Sequence, residues 1–118
     1  MKAEAKAMEM LTSDGLNVYD VGQSIGQCKE PFVVVHCYGN YQSVESTRLG
    51  YTLLLVHCYV PLDGTQTASL SILVDRVKRV MRGMIRQAIP TGREEPDMIE
   101  QDYRALSRTL EYQILKKI

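Results

Sequence analysis

The tetrapeptide Val-His-Cys-Tyr occurs twice, in FVVVHCYGN (residues 32–40) and in LLLVHCYVP (residues 53–61). Histidine nitrogen and cysteine sulfur are preferred zinc ligands, and two thiols can also form a disulfide. Each copy lies in a run of β-branched and aromatic residues, which is typical of a strand. Neighbouring side chains on a strand point to opposite faces, so neither strand can direct both residues of its pair at one metal ion. The residues in question are His36, Cys37, His57 and Cys58.

A metal site would therefore require ligands from both strands. The two strands most simply form an antiparallel hairpin closed by the polar segment 39–50. In that register His36 faces Leu53, and His57 faces Phe32. The two histidines are then about 13 Å apart along the ladder, which is too far for them to share one zinc ion. The cysteines are equally distant, beyond the roughly 7 Å Cα separation that a disulfide allows. The sequence predicts no metal site and no cofactor here.

Alternation divides this hairpin into two apolar faces. We expect the aliphatic face to be the core face, on which cysteine acts as a small hydrophobic residue. The other face is richer in aromatic residues and histidine, so we expect it to be covered as well, by the N-terminal helix or by a neighbouring subunit. The core face comprises Val33, Val35, Cys37, Leu54, Val56, Cys58 and Val60.

Two helices are predicted to frame the hairpin. Residues 2–13 are strong helix formers, and Gly15 can take the left-handed conformation that ends a helix. Residues 68–88 carry apolar side chains at i, i+3 and i+4 spacing, and Pro90 prevents continuation. Together with the hairpin, they predict an α+β fold in which a long central helix and an N-terminal helix pack against an antiparallel sheet.

The remaining segments are assigned by turn residues and alternation. Residues 16–21 are a short strand candidate, and residues 89–97 read as a loop rich in turn formers. From residue 106 apolar and polar side chains alternate, which favours a long half-buried strand over a helix. We therefore expect a short helix or turn near 96–103, followed by this strand.

Composition restricts the class of protein. The chain has 118 residues and a formal net charge of zero, which suits a single domain over residues 1–118 and argues against a general nucleic-acid binder. Its three cysteines point to reduced thiols and a cytosolic setting. The N-terminus does not read as a signal peptide, and no apolar run approaches the roughly 18 residues of a membrane span, so no membrane partner is expected.

Catalytic motifs do not stand out. The chain has two histidines, both on predicted strands, and contains none of the hydrolase, zinc-protease or nucleotide-binding motifs. Glu94, Glu95 and Asp97 cluster beside Pro96, where a solvated loop is a simpler interpretation than an acid–base pair. We expect no catalytic residues and no enzyme activity.

A stripe of arginines follows one side of the central helix. Arg76, Arg79, Arg82 and Arg86 recur at steps of three or four residues, with Lys78 nearby. A solvated helix face is the simplest interpretation. The alternative is a local surface for an acidic partner or for a passing phosphate backbone, which a neutral protein can still present.

Two segments resemble a known family. These are ESTRLGYTLLLVHCYVPLD (residues 45–63) and IPTGREEPDMIEQDYRALSRTLEYQILKK (residues 89–117). They resemble the tail terminator, or tail-completion, proteins of tailed bacteriophages and prophages of low-GC Gram-positive bacteria. The similar residues form a turn after a strand, a Pro-Thr-Gly loop and a C-terminal strand: His57, Cys58, Tyr59, Val60, Pro61, Leu62, Asp63, Pro90, Thr91, Gly92, Glu95, Pro96, Asp97, Tyr103, Ser107, Glu111, Tyr112 and Gln113.

This resemblance implies a structural role in virion assembly. Such a protein forms a ring, commonly a hexamer, that caps the tail tube, ends its polymerisation and presents a surface to the head connector. It would act in the bacterial cytoplasm during assembly and then in the tail–neck region of the virion. A head-closure or neck protein is the nearest alternative, and a small ligand-binding regulatory domain is a more distant one.

The expected partners are other copies of this chain, the tail tube protein and the head-completion or connector protein, with transient contact to DNA in the lumen. The long loops and the arginine stripe would supply the contacts, because a heterologous ring needs two different patches on each subunit. The candidate interface residues are Tyr41, Glu45, Arg48, Arg76, Arg79, Arg82, Arg86, Glu94, Glu95 and Asp97.

Overall fold

A computed structural model of the chain describes residues 3–20, 28–42, 49–94, 97–101 and 104–117. Within them, two α-helices pack against a six-stranded, largely antiparallel sheet. The predicted α+β fold is confirmed, including the placement of the N-terminal helix and the longer helix against the sheet.

The sheet has the order β1-β2-β3-β6-β4, and β5 also pairs with β6. β1 runs parallel to β2, and the other pairs are antiparallel. In chain order the elements are α1 (Ala3–Ser13), β1 (Val18–Asp20), β2 (Phe32–Gln42), β3 (Leu49–Pro61), α2 (Gln66–Met81), a 3₁₀ turn (Arg82–Met84), β4 (Ile89–Glu94), β5 (Met98–Glu100) and β6 (Ala105–Lys117).

Both helices lie on the same face of the sheet. Ala7 and Leu11 of α1 belong to the buried cluster that also contains Leu70 of α2 and Val56 of β3. The aliphatic hairpin face is thus the core face, as predicted, and Cys58 on it is completely buried. The expectation that α1 might cover the second face is wrong, because its buried side chains join those of α2.

α2 ends earlier than the predicted helix over 68–88. It stops at Met81, and a 3₁₀ turn containing Gly83 follows. Glycine is a weak helix former, and a Cβ at this position would lie only 2.7 Å from Cε of Met10 on α1. The tighter 3₁₀ winding changes the direction of the side chains that follow. Ile85, which the pattern placed in the buried stripe, is therefore 52% exposed.

The segment predicted as a loop over 89–97 instead contains strand β4. β6 is long enough to offer β4 a partner, and Pro90 is tolerated because β4 is an edge strand. The register shifts between Pro90 and Glu94, where Gly92 has a φ of 80°. Positive φ and the extra residues both mark a bulge, which glycine permits at little strain.

The C-terminal strand is confirmed as β6, but the segment before it differs from the prediction. The short helix or turn expected near 96–103 is replaced in part by β5, whose Ile99 pairs with Leu106. Arg104, directly before β6, has a φ of 50°, and its backbone N–H donates to the carbonyl of Gln101. β6 again determines the structure of the preceding segment, because its long edge pairs with a strand that is too short to be recognised from the sequence alone.

The hairpin register differs from the predicted one. His36 lies opposite Leu55, and His57 lies opposite Val34. Each pairing is two residues away from the sequence-based expectation. A slip of two residues leaves every side chain on the same face, whereas a slip of one would reverse them. The two faces were therefore predicted correctly, while the neighbours across the strands were not.

The strands also occupy part of the segment expected to be a loop. β2 continues through Gly39 to Gln42, and β3 already begins at Leu49. Between Tyr38 and Tyr41 the register shifts, so β2 carries a bulge. Glycine within a strand often marks such a bulge.

Candidate functional site

The arginine stripe divides into one arginine that holds the fold together and three that face solvent. Nε of Arg76 lies 2.6 Å from Oδ2 of Asp14, and the same guanidinium donates to the Asp14 carbonyl. Arg76 therefore ties α2 to the end of α1, where unpaired helix carbonyls attract a cation. Arg79, Arg82 and Arg86 are exposed, and they form no ion pair within the described parts of the chain.

The acidic candidates bind cations of their own chain. Nζ of Lys78 is 3.0 Å from Oε1 of Glu94, and Nε of Arg108 is 2.7 Å from Oδ1 of Asp97. A longer contact of 4.0 Å joins Arg108 to Glu94. The hydrogen bond that Arg108 donates to Asp97 raises the pKa of the Arg108 guanidinium above its usual value. These bonds connect α2, β4 and β6 on the helix side of the sheet.

For four candidate interface residues, the side chain lies outside the part of the chain that the structure describes. Glu45, Arg48 and Glu95 lie outside the described residues. Tyr41 lies in β2 opposite Tyr51, and its side chain is likewise outside the described part.

A groove of about 260 Å³ lies between the end of α2 and strands β4 and β6. Its apolar lining includes Ile85, Pro90 and Tyr112, and two arginines, Arg82 and Arg93, border it. Burial raises the pKa of Tyr112 to about 12, so its hydroxyl remains protonated and available as a donor at neutral pH. Lys78, Glu94 and Glu111 also line the groove, so its apolar surface is bordered by charges of both signs.

The cysteines of the repeated tetrapeptide lack the surroundings of a reactive thiol. Burial raises the pKa of Cys58 to about 12, and the nearby cations Arg108 and Lys78 offset only part of that effect. A thiol in this state has almost no thiolate at neutral pH, and the thiolate is the form that binds metals and attacks electrophiles. Cys37 is half-buried and packs against the same core. The packing role predicted for both residues agrees with this placement.

The second face of the sheet carries an aromatic cluster at one end. The rings of Phe32 and Tyr59 stack with centroids 4.7 Å apart, and Tyr19 meets Phe32 edge-on at 5.6 Å. Cys28 and Val34 are buried in the same cluster. This end of the face is thus covered by side chains of the chain itself.

The histidines lie further along the same face, and they are closer than the sequence indicated. The ring centroids of His36 and His57 are 6.5 Å apart, because the observed register makes them diagonal neighbours on adjacent strands. Nδ1 of His57 is 2.8 Å from Oγ1 of Thr109 on β6. Sequence reasoning missed this proximity, and Gly39 was the only available signal that the register departs from a simple hairpin. No group of three or more potential ligands from His, Cys, Asp and Glu converges within the described residues.

Comparisons with known proteins add no family assignment, since neither a protein-family model nor a curated protein sequence matches the chain. In the part of the chain that the structure describes, no helix has both the length and the apolar character needed to cross a bilayer.

Proposed function

We propose that this protein is a structural assembly subunit of a phage-like tail. It closes into a ring, most simply a hexamer, on the head-proximal end of the tail tube, ends tube polymerisation and joins the tail to the head connector. The motif resemblance in residues 45–63 and 89–117 motivates this assignment. The protein acts in the bacterial cytoplasm during assembly and stays in the tail–neck region of the virion.

The observation that carries the proposal is that the two edges of the sheet are different. At one edge the three residues of β1 pair with Val33, Val34 and Val35, whereas β2 itself continues to Gln42. At the other edge, every residue of β4 is exposed. Open edges are templates for pairing with another chain. Two unlike edges suit a head-to-tail contact, which closes into a ring when the rotation between subunits allows it.

Exposed apolar residues on the β4–β5 side support the same reading. Ile89 is 44% exposed, Met98 is 50% exposed and Ile99 is 59% exposed. The molecule measures 49 Å along its longest axis against 26 and 25 Å along the others. A subunit of this shape can reach a neighbour with one end while presenting an apolar edge to the next.

The three exposed arginines of the stripe are suited to contacts with the other proposed partners. Arg79, Arg82 and Arg86 form a local positive surface in a neutral chain, which would contact DNA passing through the lumen, the tail tube protein or the connector. A few phosphate contacts of this kind give weak, salt-dependent binding without base recognition.

Electron microscopy of the protein mixed with cognate tail tubes tests the proposal. We expect a ring at the head-proximal end of the tube, with a symmetry that can be counted in end-on views. Binding to emptied heads instead of tubes would replace the tail terminator assignment with a head-closure or neck protein. Binding to neither would contradict an assembly role.

A further inference from the structure

The groove between the end of α2 and strands β4 and β6 retains one positive charge that its own ion pairs do not neutralise. Its lining contains three cations and two carboxylates: Lys78, Arg82, Arg93, Glu94 and Glu111. Nζ of Lys78 lies 3.0 Å from Glu94, and a guanidinium nitrogen of Arg93 lies 3.9 Å from Glu111. Arg82 has no carboxylate partner within the described residues, so the lining is suited to a single added negative charge.

Tyr112 supplies a second polar group to the groove. The residue is only 4% exposed, and its hydroxyl forms no hydrogen bond with another described residue. The described parts of the chain contain no fully buried side-chain oxygen or nitrogen without a partner, so this hydroxyl opens into the groove that the residue lines. Burial raises the pKa of Tyr112 to about 12, and the positive charge of Arg82 opposes that effect. The guanidinium therefore lies within electrostatic range of the hydroxyl.

The rest of the lining is apolar. Met81 and Leu110 are almost completely buried, whereas Ile85 is 52% exposed and Pro90 is also exposed. An apolar molecule between these side chains would remove the exposed surface of Ile85 and Pro90 from water, which is favourable. Such a molecule needs no polar groups except where it meets Arg82 and Tyr112.

We propose that this groove binds a small organic acid with an apolar, ring-sized body and one carboxylate, which Arg82 and the Tyr112 hydroxyl hold together. A guanidinium matches the geometry of a carboxylate and forms strong, charge-assisted hydrogen bonds with it. The volume of about 260 Å³ is just below the roughly 300 Å³ at which pockets for drug-sized molecules begin, so it suits one or two fused rings. The site belongs to the single subunit and does not depend on the proposed role in ring assembly.

The test is an NMR titration of the isotopically labelled full chain with indole-3-propionate. We expect saturable shifts of the backbone amides of Arg82, Gly92 and Tyr112, with a Kd on the order of 1 mM for a ligand of this size. Indole-3-propionamide, which has the same body without the charge, and acetate, which has the charge without the body, should each bind at least about tenfold more weakly. Absence of saturable shifts with indole-3-propionate, or equal binding of the amide, would overturn the proposal.

Variants identify the groups that hold the carboxylate. Arg82→Gln should weaken binding of indole-3-propionate about tenfold, and Tyr112→Phe, which keeps the ring, should weaken it about fivefold. Arg79→Gln is the matched control, because Arg79 is an exposed arginine of α2 that does not line the groove, and its affinity should equal that of the wild type. The amide spectra also report whether each variant is folded.

Two further results would contradict the proposal. Wild-type affinity in a folded Arg82→Gln variant would mean that the acid binds elsewhere. Shifts at the groove with an acidic peptide but not with indole-3-propionate would make the groove a docking surface for a protein and would exclude the small acid.

Discussion

At the scale of single residues, surroundings decide what a side chain can do. Cys58 has the chemistry of a metal ligand, but burial suppresses its ionisation and raises its pKa to about 12. Arg76 has the same guanidinium as Arg79, yet its hydrogen bonds to Asp14 commit it to the contact between the helices. Nδ1 of His57 is within hydrogen-bond distance of Thr109, a residue more than fifty positions away in the chain.

The stability contributed by Cys58 should depend on pH. Cys58→Ala should lower the free energy of unfolding by about 1 kcal/mol at pH 7, through lost packing at a fully buried position. The pKa of Cys58 is raised in the folded state from 9.0 to about 12, so its contribution is complete below pH 9 and is lost as the pH rises from 9 towards 12. Within that window the wild type should lose about 1.4 kcal/mol of stability per pH unit relative to the variant, so the variant becomes the more stable of the two proteins near pH 10.

Denaturant unfolding at pH 7 and pH 10 measures this effect. Val56→Ala provides the control, because Val56 is equally buried on the same face and has no ionisable group, so its destabilisation should not change with pH. A Cys58→Ala difference that is the same at both pH values would mean that the thiol is not desolvated in the folded protein.

At the scale of elements, pairing with β6 decides the structure of the weakly patterned segments. β4 contains Pro90 and Gly92, and residues 98–100 are too few to alternate visibly. Both segments become strands because β6 offers them an edge over its 13 residues. Their exposed side chains then lie at the border of the sheet, where they are available to a neighbouring subunit.

The edge formed by β4 and β5 should be sensitive to charge if it is an interface. Ile99→Lys should reduce the fraction of tail tubes that carry a ring, because lysine on an edge strand opposes pairing with another chain. Its effect on unfolding should stay within about 0.5 kcal/mol, as for most exposed positions. Counting capped tubes in micrographs gives the first quantity, and denaturant unfolding gives the second.

Ile72→Lys is the matched control for this substitution. Ile72 is 69% exposed on α2, compared with 59% for Ile99 on β5, so the change in side chain is identical and only the location differs. Equal capping by the Ile99→Lys variant and the wild type would exclude this edge from the ring contact.

At the scale of the whole molecule, a chain with no net charge still presents separate charged surfaces. The carboxylates of Glu94 and Asp97 are neutralised by Lys78 and Arg108. The exposed arginines at the end of α2 have no such partners within the described chain. The resulting local positive surface lies beside the groove between α2 and β4, and the proposed function assigns it to a partner.

Reversal of this surface charge should affect assembly more than folding. The double variant Arg79→Glu, Arg82→Glu should lower particle yield, while its unfolding free energy changes little because both side chains are exposed. Arg76→Ala should behave in the opposite way and lose about 1 kcal/mol of stability with its ion pair. Complementation of particle production and denaturant unfolding measure the two effects. A normal particle yield from the double variant would show that this surface faces solvent in the virion.

The sequence by itself determined the local features. Runs of β-branched and aromatic residues identified β2 and β3, and alternation of apolar and polar side chains identified β6. The side chains of β2 and β3 were assigned to faces because the period of a strand is a property of the backbone. Apolar spacing identified α2 over most of its length, and the packing role of Cys58 followed from its face. These inferences depend on residues close together in the chain.

Tertiary structure decided everything that depends on distant residues. The hairpin register could slip by two residues without changing either face, and only the folded chain brought His36 and His57 within 6.5 Å. α1 could have covered either side of the sheet, and its contact with α2 selected one. Likewise, nothing local in the stripe distinguishes Arg76 from Arg79, because the difference between them is the position of Asp14 in space.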